Sequence, residues 1–428
     1  MKIYLGIDLG STTSKSVLID EQGKIIGRGI TNTRSNYTVA ADIARTEAEF
    51  NARFTWLDRN LTDGARDHQW DRTLTALEGR FHYLQFKKRF DRLEEAMSHH
   101  LSPALSAQKR ADVSAALKTA TATVDDAVRP RYLNGDASST AEFFRDIFGS
   151  AYLHAIDQAD PDLYDELIAV YDRSITPVEN QAIEFDFVEL VEQSIELLPA
   201  DMTDRRSQIN GQLKAVAQLS LEPTDYIGTG YGRQLLPFEE KHIKSEILCH
   251  AIGAHAYFPQ TRTVLDIGGQ DTKAIQVDSQ GFVTSFQMND RCAAGCGRYL
   301  GYIADEMNIG VSELGPMTMK AEYEANICST CTVFAGAELR EYLNLGEKKE
   351  NVLAGLHKAI VQRAFSLLAR SGGVRDQFTF TGGVARNEAV VKYVGQLVES
   401  NYGQIKINIH PDSIFMGALG AALFSSMR

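Results

Sequence analysis

Glycine is nearly missing from the middle of the chain. Residues 36 to 205 hold four (Gly64, Gly79, Gly135 and Gly149) of the 33 glycines in 428 positions, and none of the five cysteines. That excludes a glycine-rich phosphate loop or a thiolate metal site from this stretch. Its apolar residues recur at three- and four-residue spacings, Leu74, Leu77, Phe81 and Leu84, then Phe86, Phe90, Leu93 and Met97, which predicts helices with one face on a core. Ser102-Pro103 reads as the cap and first turn of a further helix that Pro130 closes. The aromatic stripe of Trp70, Phe81, Tyr83, Phe86 and Phe90 reads as core. The pair His99-His100 reads as solvent-facing.

Positive charge is also short: 44 Lys and Arg stand against 56 Asp and Glu, a net charge of -12, with no basic run to bind a polyanion. Nucleic acid is excluded as an expected partner. No apolar run approaches the ~20 residues that span a bilayer. The start MKIYLGIDLG has no apolar leader and reads as a strand entering a turn, so a cytoplasmic chain without a membrane partner is expected. The five cysteines, Cys249, Cys292, Cys296, Cys328 and Cys331, are odd in number, which argues against a disulfide framework. Four of them cluster in pairs, and clustered thiols suggest a metal.

At 44% apolar and 23% charged the chain is globular, and its length is about three times the ~150 residues of a typical domain, so two or three units are expected. The glycine-rich parts alternate strand and helix signals. Strands are expected at 2–8, 15–20, 24–30, 263–268, 274–278, 282–288, 378–382 and 405–409, and helices at 241–256, 298–307, 352–369 and 388–400. The fold class is α/β.

Within these parts one motif occurs twice: IDLGSTTSKSVLIDEQG from Ile7 and LDIGGQDTKAIQVDSQG from Leu265. Asp8, Lys15, Asp20 and Gly23 share their spacings with Asp266, Lys273, Asp278 and Gly281. Each copy reads as a strand, a tight turn of small residues and a returning strand. Such a turn offers backbone N–H groups and side-chain donors to phosphate, and a carboxylate at the strand end holds Mg²⁺ through water. Two such turns facing each other can clamp a triphosphate. Gly10, Ser11, Thr12 and Thr13 in the first copy, and Gly268, Gly269 and Gln270 in the second, are the candidate donors. Asp8 and Asp266 are the candidate Mg²⁺-water ligands, and Lys15 a candidate phosphate contact. The double glycine Gly382-Gly383, between a strand and a helix, would let a flat group lie on the backbone. A stripe of small residues from Gly417 to Ala422 suits close helix packing at a hinge. Glu246 is a candidate to orient the attacking water, or a solvated helix glutamate; Tyr231 and Arg233 would close the cleft or meet a partner.

The order DLGSTTSK, LDIGGQDTK, FTGGVARN, MGALGAALF resembles the actin, hexokinase and heat-shock chaperone ATPase superfamily, which implies two RNase-H-like subdomains closing on ATP. The added motifs NDRCAAGCGRYL and STCTVFAGAE resemble the activators of 2-hydroxyacyl-CoA dehydratases and the ATPase subunits of benzoyl-CoA reductase, often called archerases. The resemblance covers roughly residues 1–35 and 206–428. It implies a first actin-like subdomain of 1–35 with 206–260, a second of 261–411, a C-terminal helix of 412–428 returning to the first, and a helical insertion of 36–205. That insertion is more similar to the larger ATPase subunit of benzoyl-CoA reductase than to compact activators.

By spacing alone, Cys292-x3-Cys296 and Cys328-x2-Cys331 suit zinc and an iron–sulfur cluster equally. The resemblance implies a single 4Fe-4S cluster shared with a homologous ATPase subunit, with Cys292 and Cys331 as this chain's ligands. It further implies a ferredoxin-like electron donor and catalytic acyl-CoA reductase subunits as partners. Cys296 and Cys328 stand where the activators have threonine and serine, and either ligate, tune the cluster or pack. Cys249 reads as a buried small hydrophobe. Helices behind both cysteine motifs would let nucleotide state move the cluster. A dehydratase activator is the alternative function, and a small-molecule kinase with structural zinc a remoter one.

Overall fold

The computed structural model describes residues 2–33, 36–61, 68–134, 143–289, 296–307, 309–327 and 332–428. They form two compact units: Arg34–Val39 with Phe50–Leu221, and Met1–Thr33, Ala40–Glu49 and Glu222–Arg428. The first is helical: it takes both ends of α1 (Tyr37–Leu61), whose stretch Ala40–Glu49 belongs to the other unit, with α2 (His68–His99), α3 (Ala107–Leu133), α4 (Phe144–Ile156), α5 (Pro161–Glu179), α6 (Phe187–Glu196) and α7 (Arg206–Ala217). Ile209, Leu213 and Val216 of α7 share a core with Phe50, Phe54 and Phe81. The aromatic stripe of α2 divides between two cores. Trp70 and Phe81 join that cluster, while Tyr83, Phe86 and Phe90 join a second with α3, α4 and α5. Two capping expectations fail. The α3 cap is Ser106, whose hydroxyl accepts from the Lys109 N–H, and Pro130 sits inside the helix, its carbonyl accepting from the Asn134 N–H. His100 Nδ1 lies 2.9 Å from Ser174 Oγ, and His99 and His100 are both exposed.

The second unit holds two sheets built to one plan. β1 (Ile3–Leu9), β2 (Thr13–Asp20) and β3 (Ile25–Asn32) form an antiparallel meander, and β4 (Asp225–Thr229) adds in parallel beside β1, giving the order β3-β2-β1-β4. β5 (Thr263–Ile267), β6 (Thr272–Val277) and β7 (Val283–Asn289) repeat the meander, with β8 (Phe378–Thr381) parallel to β5 and β9 (Ile407–Asn408) at the edge. β4 is the strand that the sequence pattern did not announce.

The remaining helices are α8 (Glu246–Tyr257), α9 (Gly297–Met307), α10 (Leu314–Thr318), α11 (Thr332–Asn344), α12 (Lys349–Ser371), α13 (Glu388–Tyr402) and α14 (Met416–Ser426). The helix expected from Lys241 begins at Glu246, behind a 3-10 turn at Glu240–His242. α14 packs on the first sheet through Ala418, Leu419 and Ala422 against Val17 and Ile19. α8 packs on the second through Ile247, Ala251 and Ala254 against Val264, Ile275 and Val277. The two helices meet back to back at glycine: a Cβ on Gly420 would lie 1.8 Å from the Cys249 carbonyl oxygen. α12 is long and apolar enough to cross a membrane by composition, yet Val352, Leu353, Leu356, Ile360 and Leu368 build the core over β5 and β6.

Candidate active site

The duplication in sequence is a duplication in register. Asp8 faces Lys15 across β1 and β2, and Asp266 faces Lys273 across β5 and β6. The lysine Nζ to aspartate Oδ2 distances are 3.4 Å and 3.3 Å. Both β2 and β6 carry a register break at the same offset, at Leu18/Ile19 and Gln276/Val277. The later aspartates serve elsewhere. Asp20 accepts from the Gln22 and Lys24 N–H groups, and Asp278 from those of Gln280 and Phe282, fastening turns whose Gly23 and Gly281 have φ of 76° and 85°.

The repeat extends to a third strand. Thr229-Gly230 ends β4 beside Asp8 as Thr381-Gly382 ends β8 beside Asp266. Both glycines have positive φ, 93° and 91°, and a Cβ on Gly230 would fall 2.4 Å from Asp8 Oδ1. The threonines have diverged: Thr381 Oγ1 donates to Asp266 Oδ1 at 3.0 Å, whereas Thr229 Oγ1 donates to the Lys244 carbonyl at 3.0 Å. A Cβ on Gly382 would meet the Ile267 carbonyl oxygen at 2.2 Å, so the protein's own backbone already requires glycine there. Gly383 opens a 3-10 turn, Gly383–Arg386, ahead of α13.

The two turns approach each other at their tips: a Cβ on Gly269 would fall 2.1 Å from Thr12 Oγ1. Gly10, Ser11 and Thr13 line the first turn, half-buried, with Thr12 exposed; Gly268, Gly269 and Gln270 line the second, half-buried. Thr33 at the end of β3 steadies the first turn through its Oγ1 to the Gly10 carbonyl, 2.6 Å. The lysines differ. Lys15 pairs with Asp8 and reaches over Gly10, where a Cβ would lie 3.1 Å from its Nζ. Lys273 is buried among Asp271 at 2.7 Å, Asp266 at 3.3 Å and Glu246 at 3.7 Å.

Burial alone would lower the Lys273 ammonium, but Asp266, Asp271 and Glu246 hold it well above its ordinary range. Burial likewise opposes the Asp266 charge, and His250, Lys273 and Thr381 outweigh it, keeping the carboxyl well below the usual carboxylate range. Glu246, in the first turn of α8, is buried and is therefore no solvated glutamate. Burial pushes its carboxyl up against the pull of Lys273. His250, one turn further along α8, points Nδ1 to within 3.2 Å of Asp266 Oδ1, an ion-pair distance off the line of a hydrogen bond. Burial works against its protonation and Asp266 for it, with a net rise. Sequence reading missed His250, Asp271 and Thr381.

The donor set fits Mg²⁺, a hard cation that takes one or two carboxylates and keeps its waters for phosphate. No cluster of three or more His, Cys, Asp or Glu shaped for a metal occurs among the described residues. Cys292, Cys328 and Cys331 lie outside them. Cys249 is buried against Ile227 and Ala421, and burial pushes its thiol up to about 12. Cys296 is buried just before α9. The first backbone N–H groups of α9 bond the second of these turns: Gly297 donates to the Gly268 carbonyl at 2.8 Å and Arg298 to that of Gly269 at 2.6 Å. α11 lies beside α9, with Arg340 donating to Tyr302 Oη and pairing with Glu306, both at 3.2 Å. Arg233 turns back to its own loop and donates to the Gly230 carbonyl at 2.9 Å, while Tyr231 is exposed.

The family model of the BadF/BadG/BcrA/BcrD ATPases matches residues 5–425. The chain belongs to that family. Within it, the chain is 42% identical over 198 residues to a 2-hydroxyisocaproyl-CoA dehydratase activator of Clostridioides difficile, a stretch of 46% of this chain and 71% of the relative. It is 33% identical over 220 residues to a benzoyl-CoA reductase subunit of Thauera aromatica, 51% of this chain and 77% of the relative. The crystal structure of component A of (R)-2-hydroxyglutaryl-CoA dehydratase from Acidaminococcus fermentans shares the fold, with a TM-score of 0.51 at 23% identity, covering 100% of this chain and 98% of that one. The α/β ATPase fold, here two related sheets with packed helices, is thus the fold of this chain.

Proposed function

We propose that this family member hydrolyses ATP to drive a low-potential electron into an enzyme acting on acyl-CoA, through a 4Fe-4S cluster shared with a homologous ATPase subunit. The observation that carries the coupling is the pair of hydrogen bonds from Gly297 and Arg298 to the Gly268 and Gly269 carbonyls. Any movement of the second phosphate turn is felt at once by the helix behind the Cys292 and Cys296 motif.

Asp8 and Asp266 are the residues that would hold Mg²⁺, which would supply neutralisation of charge on the transferring phosphoryl group. Gly10, Ser11, Thr12, Thr13, Gly268, Gly269 and Gln270 offer phosphate donors, and Lys15 swings from Asp8 to a phosphate oxygen. Lys273, held by three carboxylates, stays in place as a strut. Gly382 and Gly383 border the nucleotide base. Glu246 orients the attacking water, its carboxyl raised by burial. Cys292 and Cys331 are this chain's thiolates to the cluster, which supplies one-electron chemistry. A ferredoxin-like protein in the cytoplasm would be the electron donor.

Two acceptors compete. The higher identity to a dehydratase activator favours a 2-hydroxyacyl-CoA dehydratase. The helical unit and the reductase relative favour a benzoyl-CoA reductase-type complex, with reductive dearomatisation as its outcome. The test is anaerobic reconstitution of the reduced chain with each enzyme. ATP-dependent turnover of one acyl-CoA class identifies the acceptor. ATP hydrolysis with no electron delivered to either, alongside phosphorylation of a small metabolite, would replace the proposal with a kinase.

A further inference from the structure

Asp8 and Asp266 come from different sheets, so their separation is set by what packs between them. No backbone ladder joins β1 to β5. The side chain placed to do so is His250, on the helix between the sheets. Its Nδ1 is 3.2 Å from Asp266 Oδ1 and has no aligned hydrogen-bond acceptor among the described residues, although the residue is buried. Its opposite nitrogen and Asp8 border one point, the site of a Cβ on Gly417, which would lie 2.8 Å from His250 Nε2 and 2.9 Å from Asp8 Oδ2, with no direct ion pair or hydrogen bond between the two side chains. The absence of a side chain at Gly417 is what lets α14 close over this pair.

We propose that His250 is a positioning residue that spans the two Mg²⁺-binding aspartates, Nδ1 toward Asp266 and Nε2 toward Asp8, and so fixes the spacing at which both carboxylates meet one metal–nucleotide. The inference rests on the assignment of Asp8 and Asp266 to Mg²⁺. It differs from a packing role in what it moves: affinity for the metal complex, and not for the bare nucleotide. Gly417 belongs to the same device, since a methyl there would wedge His250 from Asp8.

The experiment compares wild type, His250→Ala, His250→Asn, His250→Gln and Gly417→Ala. Binding of a non-hydrolysable ATP analogue is measured by calorimetry with Mg²⁺ and with EDTA, and thermal midpoints are recorded alongside. His250→Ala and Gly417→Ala are expected to weaken Mg²⁺–analogue binding at least tenfold while EDTA binding changes less than twofold. Asn keeps a nitrogen near Nδ1 and Gln one near Nε2, so each should recover part of the loss. Equal losses with and without Mg²⁺, or unchanged Mg²⁺ affinity in the folded His250 variants, would overturn the proposal. Should Ala not fold, the Asn and Gln variants decide. A wild type whose nucleotide binding ignores Mg²⁺ would instead overturn the underlying metal assignment, which separates the two failures.

Discussion

Asp8 and Asp266 are repeats of one another in sequence, yet their surroundings give them different weights in the fold. Asp8 pairs with Lys15, whose side chain keeps 12% exposure, whereas Asp266 is enclosed with Lys273, His250 and Thr381. Both Asp8→Asn and Asp266→Asn are expected to cut Mg²⁺-dependent ATP hydrolysis by about 10²–10³-fold, because each removes a charge that the transition state uses. Only Asp266→Asn should also lower stability, by about 3–5 kcal/mol, since it leaves buried cations short of a partner. Steady-state kinetics with chemical denaturation checks both halves, and equal stability of the two variants would contradict the asymmetry.

His357 gives a second, independent residue-scale test. It is buried on α12, with Nδ1 2.8 Å from the Leu353 carbonyl oxygen and Nε2 3.1 Å from Asn387 Nδ2, the residue that caps α13. The Asn387 amide donates, so Nε2 must accept and the ring must be neutral. Burial pushes its pKa from 6.5 down to about 4. The unfolded chain therefore binds the extra proton between those values. Stability should be full above about pH 6.5 and decline by about 3 kcal/mol as pH falls to 4. Denaturant midpoints across that range check the slope, which His357→Gln should flatten.

At the scale of elements, the hairpins were legible because cross-strand register converts fixed offsets in sequence into facing residues: Asp8 to Lys15 and Asp266 to Lys273. β4 was not, because DYIGT is five residues between Pro223 and Gly230 with no alternation, and its strand character comes from pairing with β1. His250 escaped for a related reason. A lone histidine on an apolar helix reads as core, and its place between two aspartates exists only once both sheets are folded around α8 and α14. The contact of those helices makes its own prediction. Gly420→Ala should cost about 1–3 kcal/mol by driving a methyl into the Cys249 backbone. Gly211→Ala, in α7 with nothing within 4 Å of the new Cβ, should stabilise by about 0.5–1 kcal/mol. Thermal or denaturant unfolding of the pair checks the opposite signs.

At the scale of the molecule, the helical unit is an excursion whose ends are close together. Arg45 pairs with Glu49 at 2.9 Å and with Glu222 at 3.0 Å, the last and first residues of the α/β segments that flank it. Replacing residues 50–221 by a short Gly/Ser linker should leave a folded chain that hydrolyses ATP within a few-fold of the full protein. A folded but inactive product would give the helical unit a part in catalysis. The remaining question is whether nucleotide and electron share one machine, and it turns on a cluster that needs four thiolates where this chain has two assigned. Iron and acid-labile sulfide, counted per chain on anaerobically purified protein of known oligomeric mass, test that most directly. Four irons and four sulfides per two ATPase subunits, lost in Cys292→Ser and Cys331→Ser and kept in Cys296→Ser and Cys328→Ser, are expected. Four irons on a monomer, or zinc without sulfide, would contradict it.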